Sequence, residues 1–219
     1  MQAEFWLERW QNHEIGFHLP MVNPRLVDYW PTLDLPPAAR VLVPLAGKTL
    51  DLGWLRAQGH AVLAVELSED AARAFYAEAG LTPTRCVEGE FIRYSAQDID
   101  YLVGDLFALS AAQCGPFAGV WDRGALVALP ADLRERYAAQ MVALSAPGTR
   151  TLLITLEYAQ AEMKGPPFAV PEDTVRGYFG ATHEIELLLR EDILPFEPRF
   201  KERGVTALSS AVYRLQGPA

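Results

Sequence analysis

Five short apolar runs, at 41–43, 61–65, 101–103, 119–121 and 151–155, punctuate the centre of the chain. Each is apolar at consecutive rather than alternate positions, as strands buried on both faces of a parallel sheet are. Between them, residues 50–58, 69–79 and 131–144 carry helical patterns. The first two of these segments are followed by Gly59 and Gly80, residues suited to the left-handed position that ends a helix. Ser68 is placed to cap the second, with Glu69 and Asp70 in its first turn. The third lies between Pro130 and Pro147-Gly148. Alternating strand and helix predicts βαβ units and an α/β fold with a mainly parallel sheet.

Two further apolar segments, 182–189 and 205–215, read as strands separated by a loop at 195–204. No helical segment of adequate length intervenes, so an antiparallel hairpin is expected there rather than a parallel crossover. The first 39 residues differ in character, with Trp6, Trp10, Phe17, Tyr29 and Trp30 at largely helical spacings. The chain is thus expected to form a single domain over 1–219, with 1–39 as an N-terminal helical cover segment.

Composition narrows the partners. Of 219 residues, 50% are hydrophobic and 21% charged, which excludes a disordered chain, and no apolar stretch reaches the length of a membrane span. The start, Met1-Gln2-Ala3-Glu4-Phe5-Trp6, lacks the basic and apolar regions of a secretory signal, so a cytoplasmic, membrane-free location is expected. A net charge of −9 without a clustered basic surface opposes nucleic-acid binding and points to a small-molecule substrate. Cys86 and Cys114 stand apart from each other and from His13, His18, His60 and His183, so no metal site is expected.

The most informative spacing joins the first two strands. Gly47 lies in the turn after the first, and Glu66 closes the second, nineteen residues on. A tight turn followed by a carboxylate about 20 residues later is how a doubly wound domain presents an adenosine site, the acid accepting hydrogen bonds from ribose hydroxyls. The turn Pro44-Leu45-Ala46-Gly47-Lys48-Thr49-Leu50-Asp51 holds one glycine, and Asp51 falls in the first turn of the helix that follows. That helix end already has an anionic neighbour, so a dinucleotide's pyrophosphate is disfavoured. S-adenosylmethionine, which carries a sulfonium and an ammonium and no phosphate, suits it better than NAD. Gly47-Lys48-Thr49 mimics the end of a P-loop, but Leu42 stands where that motif needs glycine.

Several blocks, in order from residue 5 to about residue 215, resemble the thiopurine S-methyltransferase family of the bacterial type. They are Trp6-Leu-Glu-Arg-Trp10, Gly16-Phe17-His18, Val43-Pro44-Leu45-Ala46-Gly47-Lys48, Val65-Glu66-Leu67-Ser68, Trp121-Asp122-Arg123-Gly124-Ala125-Leu126-Val127-Ala128 and Gly165-Pro166-Pro167-Phe168. The stretches around Arg123 and Phe168 are the most specific. Ala46 departs from the pattern, since relatives usually carry cysteine there.

The resemblance implies a Rossmann-like class I S-adenosylmethionine-dependent methyltransferase, with a seven-stranded sheet ending in an antiparallel hairpin. It implies Glu66 on the ribose and the backbone of Leu45 and Gly47 against the donor's amino-acid part. Trp10 is implied as a donor contact, although Trp6 and Trp10 at i, i+4 also fit a core stripe. Asp105 and Leu106 follow the strand at 101–103 and are placed for the adenine edge and ring; an Asp-initiated turn is the other reading of Asp105. Arg123 is implied as a donor contact close to the acceptor, and Arg199 as a second arginine on the acceptor side. Phe17 and Phe168 would form facing aromatic walls for a flat acceptor, with a core anchor as the other reading of Phe17.

Arginine stays protonated and cannot act as a base, so Arg123 and Arg199 are expected to stabilise a deprotonated thiol or selenol. The expected activity is S-methylation of thiopurines and similar thiols, and of the selenium and tellurium compounds linked to bacterial relatives, by a monomeric detoxifying enzyme. The alternative is a non-catalytic protein that senses or sequesters an adenosyl ligand.

Overall fold

A computed structural model describes residues 3–218, which fall into two compact units that meet in sequence between Trp121 and Asp122. Among the described residues nine strands form: the seven expected and two more. In the first unit the elements run α1 (Ala3–Gln11), α2 (Pro24–Tyr29), β1 (Arg40–Pro44), α3 (Asp51–Ala57), β2 (Ala61–Glu66), α4 (Glu69–Glu78), β3 (Thr84–Glu88), β4 (Phe91–Ala96), β5 (Ile99–Val103), α5 (Ala111–Cys114) and β6 (Gly119–Arg123). The last two residues of β6 open the second unit, which continues with α6 (Ala131–Leu144), β7 (Arg150–Glu157), α7 (Glu172–Phe179), β8 (Glu184–Asp192), α8 (Pro198–Glu202) and β9 (Ser209–Gln216).

Strand order in the first unit is β3-β4-β5-β2-β1-β6. β1, β2, β5 and β6 pair in parallel, and nearly every residue of β1 and β2 is buried, which is why both read as unbroken apolar runs. β3 and β4 are the unforeseen pair, an antiparallel hairpin added beside β5. In the second unit β7-β9-β8 is antiparallel throughout, with a bulge between Leu187 and Leu189.

The expected hairpin is therefore present, although its strands begin later than the apolar pattern suggested. The amide of His183 still bonds to Phe179 O, so β8 starts only after α7 has closed. Val205 is apolar because it packs with Met163 and Leu208 in a small buried cluster rather than because it lies in a strand. The loop at 195–204 contains the short helix α8, which starts on Pro198 at a position where proline's missing N–H is harmless.

Helix ends obey local rules. At the end of α3, Gly59 takes φ +89°, its amide bonds to Arg56 O, and the next amide, of His60, reaches back to Leu55 O. Gly80 ends α4 in the same way at φ +66°. The α3 ending delivers the His60 ring to a buried position, where Nε2 accepts from the Trp30 indole at 3.0 Å and Nδ1 lies 3.2 Å from Ala39 O. Ser68 is the N-cap residue of α4 as expected, but its side chain makes no cap hydrogen bond.

Asp51 begins α3, yet its buried carboxylate looks outward from the helix. It accepts from the Asn23 amide at 2.8 Å and from the Trp121 indole at 2.9 Å. One acid thereby ties the start of α2 and the middle of β6 to the start of α3. Removing it would leave two buried donors unmatched, at about 1–3 kcal/mol each.

Candidate functional site

The turn after β1 is built from unusual backbone. Leu45 adopts φ +46° and Gly47 φ +54°, two left-handed positions within three residues, while the Ala46 amide between them bonds to Val65 O at 3.1 Å. The turn is thus pinned to the end of β2, where Glu66 sits. Glu66 Oε2 accepts from the Gly47 amide at 2.9 Å, and Oε1 from the amides of Leu67 and Ser68 at 2.8 and 3.1 Å. Glu66 is only 8% exposed, which rules out a carboxylate in bulk solvent at a strand end. Burial pushes its pKa above the usual carboxylate range, and the amides of Gly47, Ser68 and Leu67 offset part of that.

Two further elements close on this point. The Tyr101 hydroxyl, on β5, donates to Gly47 O at 2.5 Å, and burial beside the Glu66 charge holds its pKa far above 10, so it remains a neutral donor. The Gly104 amide bonds to Glu66 O at 2.9 Å, which sets the chain after β5 against the end of β2. Tyr101 escaped the sequence reading because a tyrosine in an apolar run carries no sign of which buried carbonyl it will meet.

The aromatic residues of the N-terminal segment lie over the same turn. A Cβ placed on Gly47 would stand 3.4 Å from Trp10 Cζ2 and 3.8 Å from Phe17 Cε2. Trp10 is buried and Phe17 is 38% exposed, and Phe17 packs edge-to-face on both Trp6 and Trp10 at centroid separations of 5.8 Å. Glycine at 47 is what lets the indole approach the turn. Of the donor-side expectations, Trp10, Leu45, Gly47 and Glu66 are brought together, with Phe17, expected as an acceptor wall, beside them. Leu106 is buried in the turn after β5, while Asp105 is exposed and its side chain caps that turn, accepting from the Phe107 amide at 2.9 Å. Asp105 thus initiates the turn that carries Leu106.

In the second unit, Arg123 ends β6 and is half-buried. Asp122 beside it is engaged elsewhere: Oδ2 accepts from Tyr137 at 2.7 Å and Oδ1 from the Leu126 amide at 3.3 Å. Phe168 is bound to the segment just after Arg123, its amide donating to Val127 O at 2.6 Å. Its ring turns back over Gly165, and the Arg134 guanidinium lies 5.9 Å from the ring centroid while bonding Ala169 O at 2.7 Å.

Arg199 is exposed on α8. That helix is joined to the proline wall by Arg203 donating to Pro166 O at 3.4 Å and by Tyr158, which donates to Pro167 O at 2.6 Å and packs edge-on to Phe200. Arg123, Phe168 and Arg199 therefore belong to one connected set of segments. Arg134 and Tyr158, which support that set, were not foreseen. Among the described residues no group of three or more His, Cys, Asp or Glu side chains is placed to hold a metal ion.

The sequence profile of the thiopurine S-methyltransferase family matches residues 1–218. The chain belongs to that family. Proteins named thiopurine S-methyltransferase from Bordetella petrii and Xanthomonas campestris are 52% and 51% identical to it over 216 residues, covering 99% of each chain, and one from Pseudomonas aeruginosa is 50% identical over 219 residues. Solved structures agree on the fold. The 1,6-didemethyltoxoflavin-N1-methyltransferase of Burkholderia thailandensis, with its substrate and S-adenosylhomocysteine bound, superposes with a TM-score of 0.65 at 17% identity over 99% of this chain and 87% of that one. A SAM-dependent methyltransferase from Anabaena variabilis gives 0.64 at 15% identity, over 98% and 94%. The chain is a methyltransferase of Rossmann-like fold.

Proposed function

We propose that the chain methylates the sulfur of aromatic and heterocyclic thiols, thiopurines among them, and selenium or tellurium compounds of like nucleophilicity. The observation that carries this reading is the full-length match to proteins named thiopurine S-methyltransferase. The residues on the donor side fit an adenosyl group: a buried carboxylate at a strand end beside a turn whose glycine leaves room against an indole. Bound S-adenosylmethionine supplies a methyl group activated by its sulfonium. Glu66 accepts the ribose hydroxyls, Leu45 and Gly47 present backbone to the amino-acid part, and Trp10 packs over them. Leu106 covers the adenine, with Asp105 or its backbone at the adenine edge.

Arg123 contacts the donor and, with Arg199, holds the acceptor as a thiolate, while Phe17 and Phe168 flank its ring. A fixed guanidinium lowers a nearby thiol's pKa, and thiolate is the reactive form. These residues would hold the acceptor sulfur in line with the donor's methyl group, whose broken C–S bond would leave its electron pair on the sulfur of S-adenosylhomocysteine. Positioning supplies most of the rate, for which effective molarities reach about 10⁵ M or more. The protein works as a cytoplasmic monomer in a single domain, residues 1–39 forming its cover, and its role is detoxification.

Incubation with donor and 6-mercaptopurine should yield the S-methyl product. Tight donor binding without turnover on any thiol or selenol would instead identify an adenosyl sensor. Arg199→Ala should mainly lower turnover and move its pH optimum upward, because the acceptor then needs a higher pH to ionise. An unchanged pH profile would refute the thiolate-stabilising role.

A further inference from the structure

A carboxylate that touches neither proposed ligand sits directly behind Arg123. Asp122 is 3% exposed, and its two oxygens are held from two directions. Oδ1 takes the Leu126 amide and so spans the four-residue turn that contains Arg123 and Gly124, whose φ is +89°. Oδ2 takes the hydroxyl of Tyr137, which is fully buried on the inward face of α6. That face also carries Arg134, three residues earlier, whose guanidinium holds the carbonyl of Ala169 next to Phe168. One helix therefore grips both segments proposed to meet the acceptor.

We propose that Asp122 and Tyr137 form a positioning pair for Arg123: the ionised carboxylate staples the Arg123 turn closed, and the buried phenol keeps that carboxylate ionised and aligned. This rests on the reading of Arg123 given above. The chemistry follows from the donors. The Leu126 amide can only donate, and so can its neighbour at Ala125, which also bonds the acid, whereas a protonated carboxyl presents an O–H on one side. A proton on Oδ2 can turn to the Tyr137 hydroxyl, which also accepts, but the amides then lose their charged acceptor and the staple weakens.

Burial pushes the Asp122 pKa up to about 6, and the Tyr137 hydroxyl and the two amides restrain that rise. The phenol remains neutral, its own pKa held well above 10 by burial and by the Asp122 charge. Tyr137 bonds the acid, Arg123 adjoins it in the chain, and Arg134 on α6 is turned to Ala169 and Phe168. Losing the phenol removes an interaction that favours the ionised form, so the staple opens at higher pH.

The test is the pH profile of turnover at saturating donor for wild type, Tyr137→Phe and Asp122→Asn, with 6-mercaptopurine as acceptor. In Tyr137→Phe the acidic limb should move toward neutral pH, with turnover lowered by roughly tenfold on that limb and within about twofold of wild type at alkaline pH. Asp122→Asn should lose the part of that limb that Asp122 contributes and keep the acceptor's own ionisation, and adding Tyr137→Phe to it should change nothing further in the pH dependence. A loss of the same factor at every pH would show a merely structural tyrosine and overturn the proposal.

Should Tyr137→Phe fail to fold, or no thiol be turned over, infrared titration of the wild type decides. A buried carboxyl stretch that appears below about pH 6 and is absent from Asp122→Asn supports the staple. Its absence from the wild type refutes it. The titration needs no acceptor, so failure of the thiol reading and failure of the staple are told apart.

Discussion

Glu66 Oε2 accepts the amide proton of Gly47 at 2.9 Å, so the acid and the glycine, nineteen residues apart in sequence, are a single hydrogen-bonded unit. The bond fixes both partners: it aims the carboxylate and it holds the left-handed backbone of the turn. Glu66→Gln keeps the shape but replaces one acceptor oxygen by an NH2 group. With Oε1 still serving Leu67 and Ser68, that NH2 faces the Gly47 amide, donor against donor.

Donor binding should weaken by about 10- to 100-fold in Glu66→Gln, the range expected on losing hydrogen bonds to a charged acceptor at roughly 1.5–3 kcal/mol. A second consequence has a definite sign. Because burial raises the Glu66 pKa, the acid takes up a proton at a higher pH than a solvated glutamate would, and donor affinity should fall as pH drops through that value. Calorimetric titration with S-adenosylhomocysteine across pH reads both effects. Equal affinities for the two proteins, or a slope retained in the variant, would remove Glu66 from the donor site.

Gly47→Ala isolates the backbone contribution. The added methyl would touch Trp10 Cζ2 at 3.4 Å, an ordinary contact, so the penalty comes from holding an L-residue at φ +54°, about 1–2 kcal/mol. For a chain of this length that lowers Tm by roughly 2–8 °C. Gly47→Val adds bulk toward both Trp10 and Phe17 and should also weaken donor binding. Thermal melts with and without donor separate the outcomes; a valine variant with unaltered affinity would mean that the aromatic cover does not shape the site.

What was legible in the sequence divides along physical lines. Strands with consecutive buried residues announce themselves as apolar runs, so β1, β2, β5, β6 and β7 were visible, and the Gly47–Glu66 spacing followed because one βαβ unit fixes it locally. β3 is exposed at all five residues, and its Arg85 and Glu88 look like loop residues. Only its ladder to β4 makes it a strand, and hydrogen bonds leave no hydrophobic signature. The buried polar contacts were equally silent. Asp51 meets Trp121 seventy residues away, and Asp122 meets Tyr137 across a helix; each residue type is common, and the partner is chosen by the fold. Arg199 was identified by family pattern alone, since its short helix is secured through Arg203 and Phe200 rather than by any periodicity of its own.

His60 offers a test of stability that is independent of catalysis. Its Nε2 accepts from Trp30, which leaves the remaining proton on Nδ1 toward Ala39 O, so the folded protein holds the neutral ring. Burial lowers its pKa below 6.5, with the Ala39 bond opposing. As pH falls below 6.5 the unfolded chain gains a proton that the folded one resists, and stability declines until the folded pKa is passed. The slope for one such proton is at most about 1.4 kcal/mol per pH unit. His183 shifts the same way, whereas the raised pKa values of Asp122 and Glu66 act with the opposite sign at lower pH. The informative quantity is therefore the difference between wild type and His60→Gln, whose amide oxygen can still accept from Trp30. Urea titrations at several pH values should show the variant losing less stability than wild type between about pH 6.5 and 5. Parallel curves would mean that His60 is protonated in the folded protein, and that its Trp30 hydrogen bond as described is wrong.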